Sequence, residues 1–236
     1  RKPPKHLKPR DNVIIRLCSI ECDFARPLND RSSRLNRRFA KDLKAWSKIT
    51  KNLWVWDYTQ NWYAFQAPHP NIQVLVPNIR FYVKNGVTGI FEQGAHSPGA
   101  DFDFLKAYIV ARALWKPEED GDALYDEFLS LYYGDVAAPY LRDYHDLVRD
   151  RVLESGYELT FYSKAEWMDY GMVEKAQAIF HEAFAAMERE DVAAEKVERL
   201  RRAYLSVEYA ALVCPPKVEV RDDSILLTRP PRLRFD

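Results

Sequence analysis

The chain has 236 residues, of which 47% are hydrophobic and 14% aromatic, and this composition allows a large core in one large domain or two smaller ones. Its 35 basic and 35 acidic residues cancel to a formal charge of zero, so its overall charge attracts neither nucleic acid nor an anionic membrane. No run approaches the ~20 consecutive apolar residues that span a bilayer, and the start shows no apolar run typical of a signal peptide. We therefore expect no nucleic acid and no membrane as partners.

The chain opens with a basic, proline-rich stretch, RKPPKHLKPR, which predicts an irregular lead-in over residues 1–12. Because the first residue is Arg1 rather than Met, we expect that an upstream segment has been removed. Three cysteines, Cys18, Cys22 and Cys214, make neither an even disulfide set nor a tetrahedral metal set. We expect thiols at these positions, with a disulfide in an exported protein as the alternative.

Residues 13–117 contain three short apolar runs, each followed by a helical pattern. The first run, VIIRLCSI at residues 13–20, predicts a buried strand without alternating exposure. The second and third predict strands at residues 53–57 and 87–91. Such alternation predicts parallel strands with right-handed crossovers, in a barrel or in an open doubly wound sheet. Three strands cannot close a barrel.

The helical patterns between these strands carry recognisable ends. The first begins at a cap, Ser32 or Ser33. The second is predicted to begin near Pro77, because proline suits the first turn, and to end at Asn85-Gly86. The third follows the loop GAHSPG.

Strand patterns disappear after Pro117. Residues 118–213 predict a helical C-terminal region, with helices at about 121–133, 135–154, 164–190 and 192–213. Within residues 214–236, the tail VEVRDDSILLTRP predicts a short β hairpin. The expected fold class is therefore α/β.

Four segments between residues 13 and 150 closely resemble the bacterial domain-of-unknown-function family 4838, which includes glycoside hydrolase family 163. They are WVWDYTQNW, VLVPNIRFYVKNGVTGIFEQG, FLKAYIVARALWKP and EFLSLYYG. The resemblance implies a (β/α)8 TIM-type barrel of the hexosaminidase-like type, acting on glycans that contain N-acetylglucosamine, in an exported or periplasmic protein. This chain would form the C-terminal portion of that barrel, with the missing N-terminal half as its partner.

Enzymes of the hexosaminidase-like type usually carry an Asp-Glu pair on a middle strand, where Glu protonates the leaving oxygen. No such pair ends a strand in this sequence, so the resemblance implies that the main catalytic acid lies upstream. We expect no cofactor, and no metal because no His/Cys/acid spacing typical of a metal site occurs.

Carboxylates follow all three predicted strands. In a (β/α) barrel the active site forms at the C-terminal ends of the strands, where this sequence places Glu21, Asp57 and Glu92. Glycoside hydrolysis uses carboxyl groups as proton donor, base or nucleophile, and as acceptors for sugar hydroxyls. We therefore expect Asp57 and Glu92 as catalytic candidates and Glu21 as a substrate ligand. Asp and Glu also end strands or cap helices without any function.

Aromatic residues crowd around the second strand, and flat rings suit the C–H face of a pyranose as well as a protein core. We expect Trp54 to pack in the core. Further candidates for glycan binding lie nearer the strand ends. They are Trp56, Tyr58, Asn61, Trp62, Gln93 and His96. A lone loop histidine such as His96 is more often simply exposed.

Three functions fit these patterns. A glycoside hydrolase explains the acids at the strand ends. A non-catalytic carbohydrate-binding or scaffold protein would keep the aromatic residues and use the acids only as caps. A helical interaction module would expose an apolar face on the helices after residue 117.

Overall fold

The computed structural model describes residues 2–96, 98–221 and 224–231. A three-stranded parallel sheet with the strand order β1-β2-β3 is formed by β1 (Ile15–Cys18), β2 (Leu53–Tyr58) and β3 (Val87–Gln93). The accompanying helices are α1 (Arg34–Trp46), α2 (Ile72–Lys84) and α3 (Asp103–Trp115). The three predicted strand-loop-helix units are confirmed, and the fold is α/β.

The sheet has two different faces because successive side chains of a strand point to opposite sides. The covered face carries Leu17 and Val55, which pack with residues of α1 and α2 in one core cluster. The open face carries Arg16, Trp54 and Phe91, and Trp54 and Phe91 are 38% and 47% exposed. In β1 the Arg16 side chain is exposed and the Leu17 side chain is buried, so the expectation of a first strand without alternating exposure is wrong. The expectation that Trp54 packs in the core is wrong as well.

The helix ends agree with the sequence at some positions and not at others. Ser33 caps α1, and its hydroxyl accepts a hydrogen bond from the Asn36 amide at 3.3 Å. The helix α2 ends before Gly86, whose φ of +76° lies in the left-handed region that favours glycine. The predicted start near Pro77 is wrong, because α2 begins at Ile72 and contains the proline. Buried apolar side chains in the turns before the proline compensate for the hydrogen bond that it removes.

The remaining elements form the predicted helical region and hairpin. They are α4 (Gly121–Phe128), a π-helical turn (Leu129–Tyr133), α5 (Ala138–Glu154), α6 (Tyr170–Arg189), α7 (Ala194–Val213), β4 (Lys217–Arg221) and β5 (Ser224–Thr228). The helix expected from residue 164 starts only at Tyr170, after an irregular loop over residues 155–169. β4 and β5 pair antiparallel, while residues 222–223 of the predicted turn lie outside the described residues.

The helical region and the C-terminal end of the sheet share one hydrophobic core. The cluster contains Phe24 and Tyr58 from the first part of the chain together with Tyr144, Val148 and Phe180 from α5 and α6. Among the described helices, none has the length and apolar character needed to cross a membrane.

Candidate functional site

The C-terminal ends of the three strands meet at one edge of the sheet. Asp57 and Glu92 are register partners on β2 and β3, and the next residues, Tyr58 and Gln93, are partners as well. Glu21 lies in the turn after β1 with an exposed side chain. The structure thus brings the three acids predicted from the sequence to the same end of the sheet.

Asp57 lies on the covered face and is buried, with 6% of its surface exposed. Its Oδ1 accepts hydrogen bonds from the Ser19 hydroxyl and, at 2.9 Å, from the Tyr58 amide. Its Oδ2 accepts from the Tyr82 hydroxyl at 2.7 Å. Burial raises the pKa of Asp57, while the hydrogen bonds from Ser19, Tyr82 and Tyr58 oppose that rise. Both carboxylate oxygens are therefore engaged within the chain.

Glu92 also lies on the covered face, half-buried, beside a cavity of about 590 Å³. Thr59 and His96 line the same cavity. Burial, and secondly the negative charge of Asp57, raise the pKa of Glu92 well above its usual range. Because three donors favour the ionised form of Asp57, Glu92 is the carboxyl group of the pair that more readily holds a proton.

The open face presents an aromatic surface at the same end of the sheet. The Trp56 indole Nε1 donates a hydrogen bond of 2.5 Å to the Gln93 Oε1, which fixes the amide beside the ring. The half-buried Trp56 ring meets Phe91 edge-on at 5.3 Å between centroids, and the Arg16 guanidinium lies over the Trp56 ring, 4.8 Å from its centroid. In strands β1 to β3, this face carries no carboxylate, because Asp57 and Glu92 occupy the opposite face.

Tyr58 is more enclosed than a surface platform would be, with 7% of its area exposed. Its ring packs against Phe161 at 5.0 Å between centroids, and its hydroxyl lies 3.4 Å from the Cys18 sulfur. Burial raises the pKa of Tyr58. The candidate site therefore has Tyr58 as part of its wall.

Asn61 is buried, with 1% of its surface exposed. Its Nδ2 donates to the Ser163 carbonyl oxygen, and its Oδ1 accepts from the amides of Tyr63 and Ala64 at 3.0 and 3.1 Å. Both polar ends of the side chain therefore join two loops of the chain.

Trp62 and His96 come together in the loops after β2 and β3. Their rings lie 5.3 Å apart, and the Phe65 ring lies 5.0 Å from Trp62 and 4.5 Å from His96. The His96 side chain is exposed. This aromatic group forms the part of the rim next to the cavity that Glu92 lines.

The described residues contain no group of three or more His, Cys, Asp or Glu side chains placed to hold a metal ion. Cys18, Cys22 and Cys214 form no disulfide with one another.

Residues 1–146 match the family described as Domain of unknown function (DUF4838). The chain belongs to this family. No curated protein and no solved structure matches the chain. The DUF4838 match contains β1 to β3 and with them every site residue predicted from the sequence.

The loop at residues 155–169 lies beyond the DUF4838 match but contacts the same end of the sheet. The Phe24 amide donates to the Leu159 carbonyl at 2.7 Å, and the Leu159 amide donates to the Asp23 carboxylate at 3.2 Å. Phe161 covers Tyr58. Sequence reasoning missed this loop, although its aromatic residues between two helical patterns were a signal that it packs against something.

Proposed function

We propose that this chain is part of a glycoside hydrolase, related to glycoside hydrolase family 163, that acts on glycans containing N-acetylglucosamine. The observation that carries the proposal is the pairing of Trp56 with Gln93 on the open face, at the C-terminal end of a parallel sheet. A flat ring with a fixed amide at its edge suits a pyranose, whose C–H face is apolar and whose rim is polar. The carboxyl pair Asp57 and Glu92 ends the same strands.

We further propose that the sheet is the C-terminal portion of a (β/α)8 barrel, completed by upstream strands of the protein that carries this chain, here called the full-length protein. Two features support this. β1 and β3 are the outer strands of the sheet, each paired on one side, and the open face exposes Trp54 and Phe91. Further strands would pair with these edges and cover these side chains.

In this proposal the sugar displaces the Arg16 guanidinium from the Trp56 ring, and Trp56 and Gln93 contact the sugar directly. Asp57 positions the end of β2 through its bonds to Ser19 and Tyr82. Glu92 donates a hydrogen bond to the glycan from the neighbouring cavity, because it readily holds a proton. Hydrolysis adds water across the glycosidic bond, with the proton going to the leaving oxygen and the hydroxyl group to the anomeric carbon. The main acid for this step is proposed to lie upstream.

The test uses the full-length protein and a fluorescently labelled trimannosyl-chitobiose pentasaccharide, with products separated by chromatography. We expect wild-type protein to cleave it, and Glu92→Ala to lower kcat/KM by about 2- to 12-fold, the value of one hydrogen bond between neutral groups. A loss of about 10²–10⁴ confined to kcat would instead assign proton transfer to Glu92. The control is Glu182→Ala, because Glu182 is exposed on α6.

One observation favours a second candidate, a carbohydrate-binding protein without catalysis. The open face in β1 to β3 carries aromatic and amide groups but no carboxylate, and both oxygens of Asp57 are engaged. Wild-type protein that binds the pentasaccharide and never cleaves it would support this alternative and contradict the hydrolase. Wild-type protein that neither binds nor cleaves glycans would contradict both.

A further inference from the structure

A row of aromatic rings leads away from the Trp56 platform. Trp56 stacks with Tyr58 at 6.3 Å between centroids, and Tyr58 meets Phe161 at 5.0 Å. Phe161 meets Tyr162 at 5.2 Å, and Tyr162 meets Tyr63 at 6.4 Å. Every step lies within the distance at which aromatic rings interact. The row therefore connects the proposed sugar platform to residues on two different loops.

The outer end of this row is open to solvent. Tyr58 is 7% exposed, whereas Tyr63 is 55% and Tyr162 is 60% exposed. The Lys164 ammonium lies 4.6 Å from the Tyr63 centroid. The ammonium group lies over one face of the Tyr63 ring, so two tyrosine hydroxyls and an ammonium donor stand beside two largely exposed rings. This combination suits a sugar, which needs an apolar contact and several hydrogen bonds at once.

Tyr162 is held in place by a turn at residues 160–163 that is fixed by hydrogen bonds. The Ser163 hydroxyl accepts from the Thr160 amide and from the Tyr157 hydroxyl, both at 3.0 Å. The Ser163 amide donates to the Thr160 carbonyl at 3.1 Å, and the Tyr162 amide donates to the Thr160 hydroxyl at 3.3 Å. These bonds order the backbone that carries Tyr162, so a ligand that binds its ring does not also have to order the turn.

Asn61 ties the two exposed rings together. Its Nδ2 donates to the Ser163 carbonyl, in the turn that carries Tyr162, and its Oδ1 accepts from the Tyr63 amide at 3.0 Å. One buried side chain therefore fixes both halves of the outer aromatic pair, and Asn61 is a positioning residue rather than a direct ligand.

We infer that Tyr63, Tyr162 and Lys164 form an outer subsite that binds a second sugar unit, beyond the one at Trp56. The inference rests on the proposed function and narrows its substrate class to oligosaccharides long enough to reach from Trp56 to the outer aromatic pair, which buried Tyr58 links to Trp56 only through packing. The subsite is completed by the loop after α5, outside the DUF4838 match.

The test compares a short and a long ligand by isothermal titration calorimetry on the full-length protein. The probes are N-acetylglucosamine and S-linked chitotetraose, whose sulfur linkages resist hydrolysis. We expect Tyr162→Ala and Tyr63→Ala each to weaken chitotetraose binding by roughly threefold to tenfold, the range for one aromatic contact, and to leave N-acetylglucosamine binding within twofold. The control is Trp115→Ala, because this 91% exposed ring lies at the far end of α3.

The outcomes separate this inference from the proposed function. If wild-type protein binds both sugars and the Tyr162 and Tyr63 variants bind chitotetraose within twofold of it, the outer subsite is overturned while the proposed function stands. An equal loss for both sugars would place these tyrosines in the primary site and also overturn a separate subsite. Wild-type protein that binds neither sugar overturns the outer subsite, and the proposed function falls with it only if the pentasaccharide is neither bound nor cleaved.

Discussion

The hydrogen bond between Tyr82 and Asp57 allows a sharp test of what Asp57 does. Tyr82 is fully buried, and its hydroxyl donates a hydrogen bond of 2.7 Å to the Asp57 Oδ2. Tyr82→Phe removes that hydroxyl and keeps the ring, which meets Phe39 and Phe81 at 6.4 and 6.3 Å. A hydrogen bond to a charged group contributes about 1.5–3 kcal/mol, so we expect the free energy of unfolding to fall by about that amount.

The assay is urea denaturation of the full-length protein, followed by tryptophan fluorescence. Tyr162→Phe is the matched control, because its 60% exposed side chain predicts a change within about 0.5 kcal/mol. A double-mutant cycle with Asp57→Asn should show a coupling of about 0.5–3 kcal/mol. Additive effects, or a change below about 0.5 kcal/mol for Tyr82→Phe, would refute the positioning role.

Turnover separates positioning from catalysis at the same residue. If Asp57 only positions the end of β2, Tyr82→Phe and Asp57→Asn should lower the free energy of unfolding. The kcat of the folded fraction should change little. A loss of about 10²–10⁴ in kcat for folded Asp57→Asn, with Tyr82→Phe nearly unchanged, would instead show that Asp57 transfers a proton.

Two further predictions concern stability. In Gly89→Ala the new Cβ would lie 2.5 Å from the Trp54 ring. We therefore expect the free energy of unfolding to fall by about 1–3 kcal/mol and the tryptophan emission to shift. Unchanged emission would mean that Trp54 does not lie over Gly89. Burial lowers the pKa of His145 from 6.5 to about 3 and that of His69 well below 6.5. At pH values between the lowered pKa of each histidine and about 6.5, only the unfolded state binds the proton. These two histidines should therefore lower the free energy of unfolding as the pH drops below about 6.5. Glu92 and Asp57, whose pKa values are raised, act in the opposite direction. Because His145 contributes to the loss at low pH, His145→Gln should flatten the acid-induced fall in urea titrations. An unchanged pH profile would contradict the assignment to His145.

Much of the fold follows from local patterns in the sequence. Three apolar runs, the cap at Ser33 and the stop at Gly86 are readable because each depends on a few neighbouring residues. The start of α2 cannot be read from the sequence, because Pro77 is tolerated in the helix only through the tertiary packing of the turns before it.

The candidate site is harder to predict, because its geometry depends on which face of the sheet the helices cover. Alternation separates Trp56 from Asp57, but the sequence does not say which of them meets α2. Only the structure places Asp57 against Tyr82 and leaves Trp56 on the open face. The bond from Asn61 to Ser163 joins residues 102 positions apart, and such a contact leaves no periodic signal in either segment.

The most direct test of the central claim is a crystal structure of the full-length protein bound to S-linked chitotetraose. The proposal predicts a sugar ring stacked on Trp56 on the open face, with a hydroxyl within hydrogen-bond distance of the Gln93 side chain, whose amide is fixed by the indole. A glycan bound at another surface, with Trp56 and Gln93 not in contact with it, would contradict the proposed site.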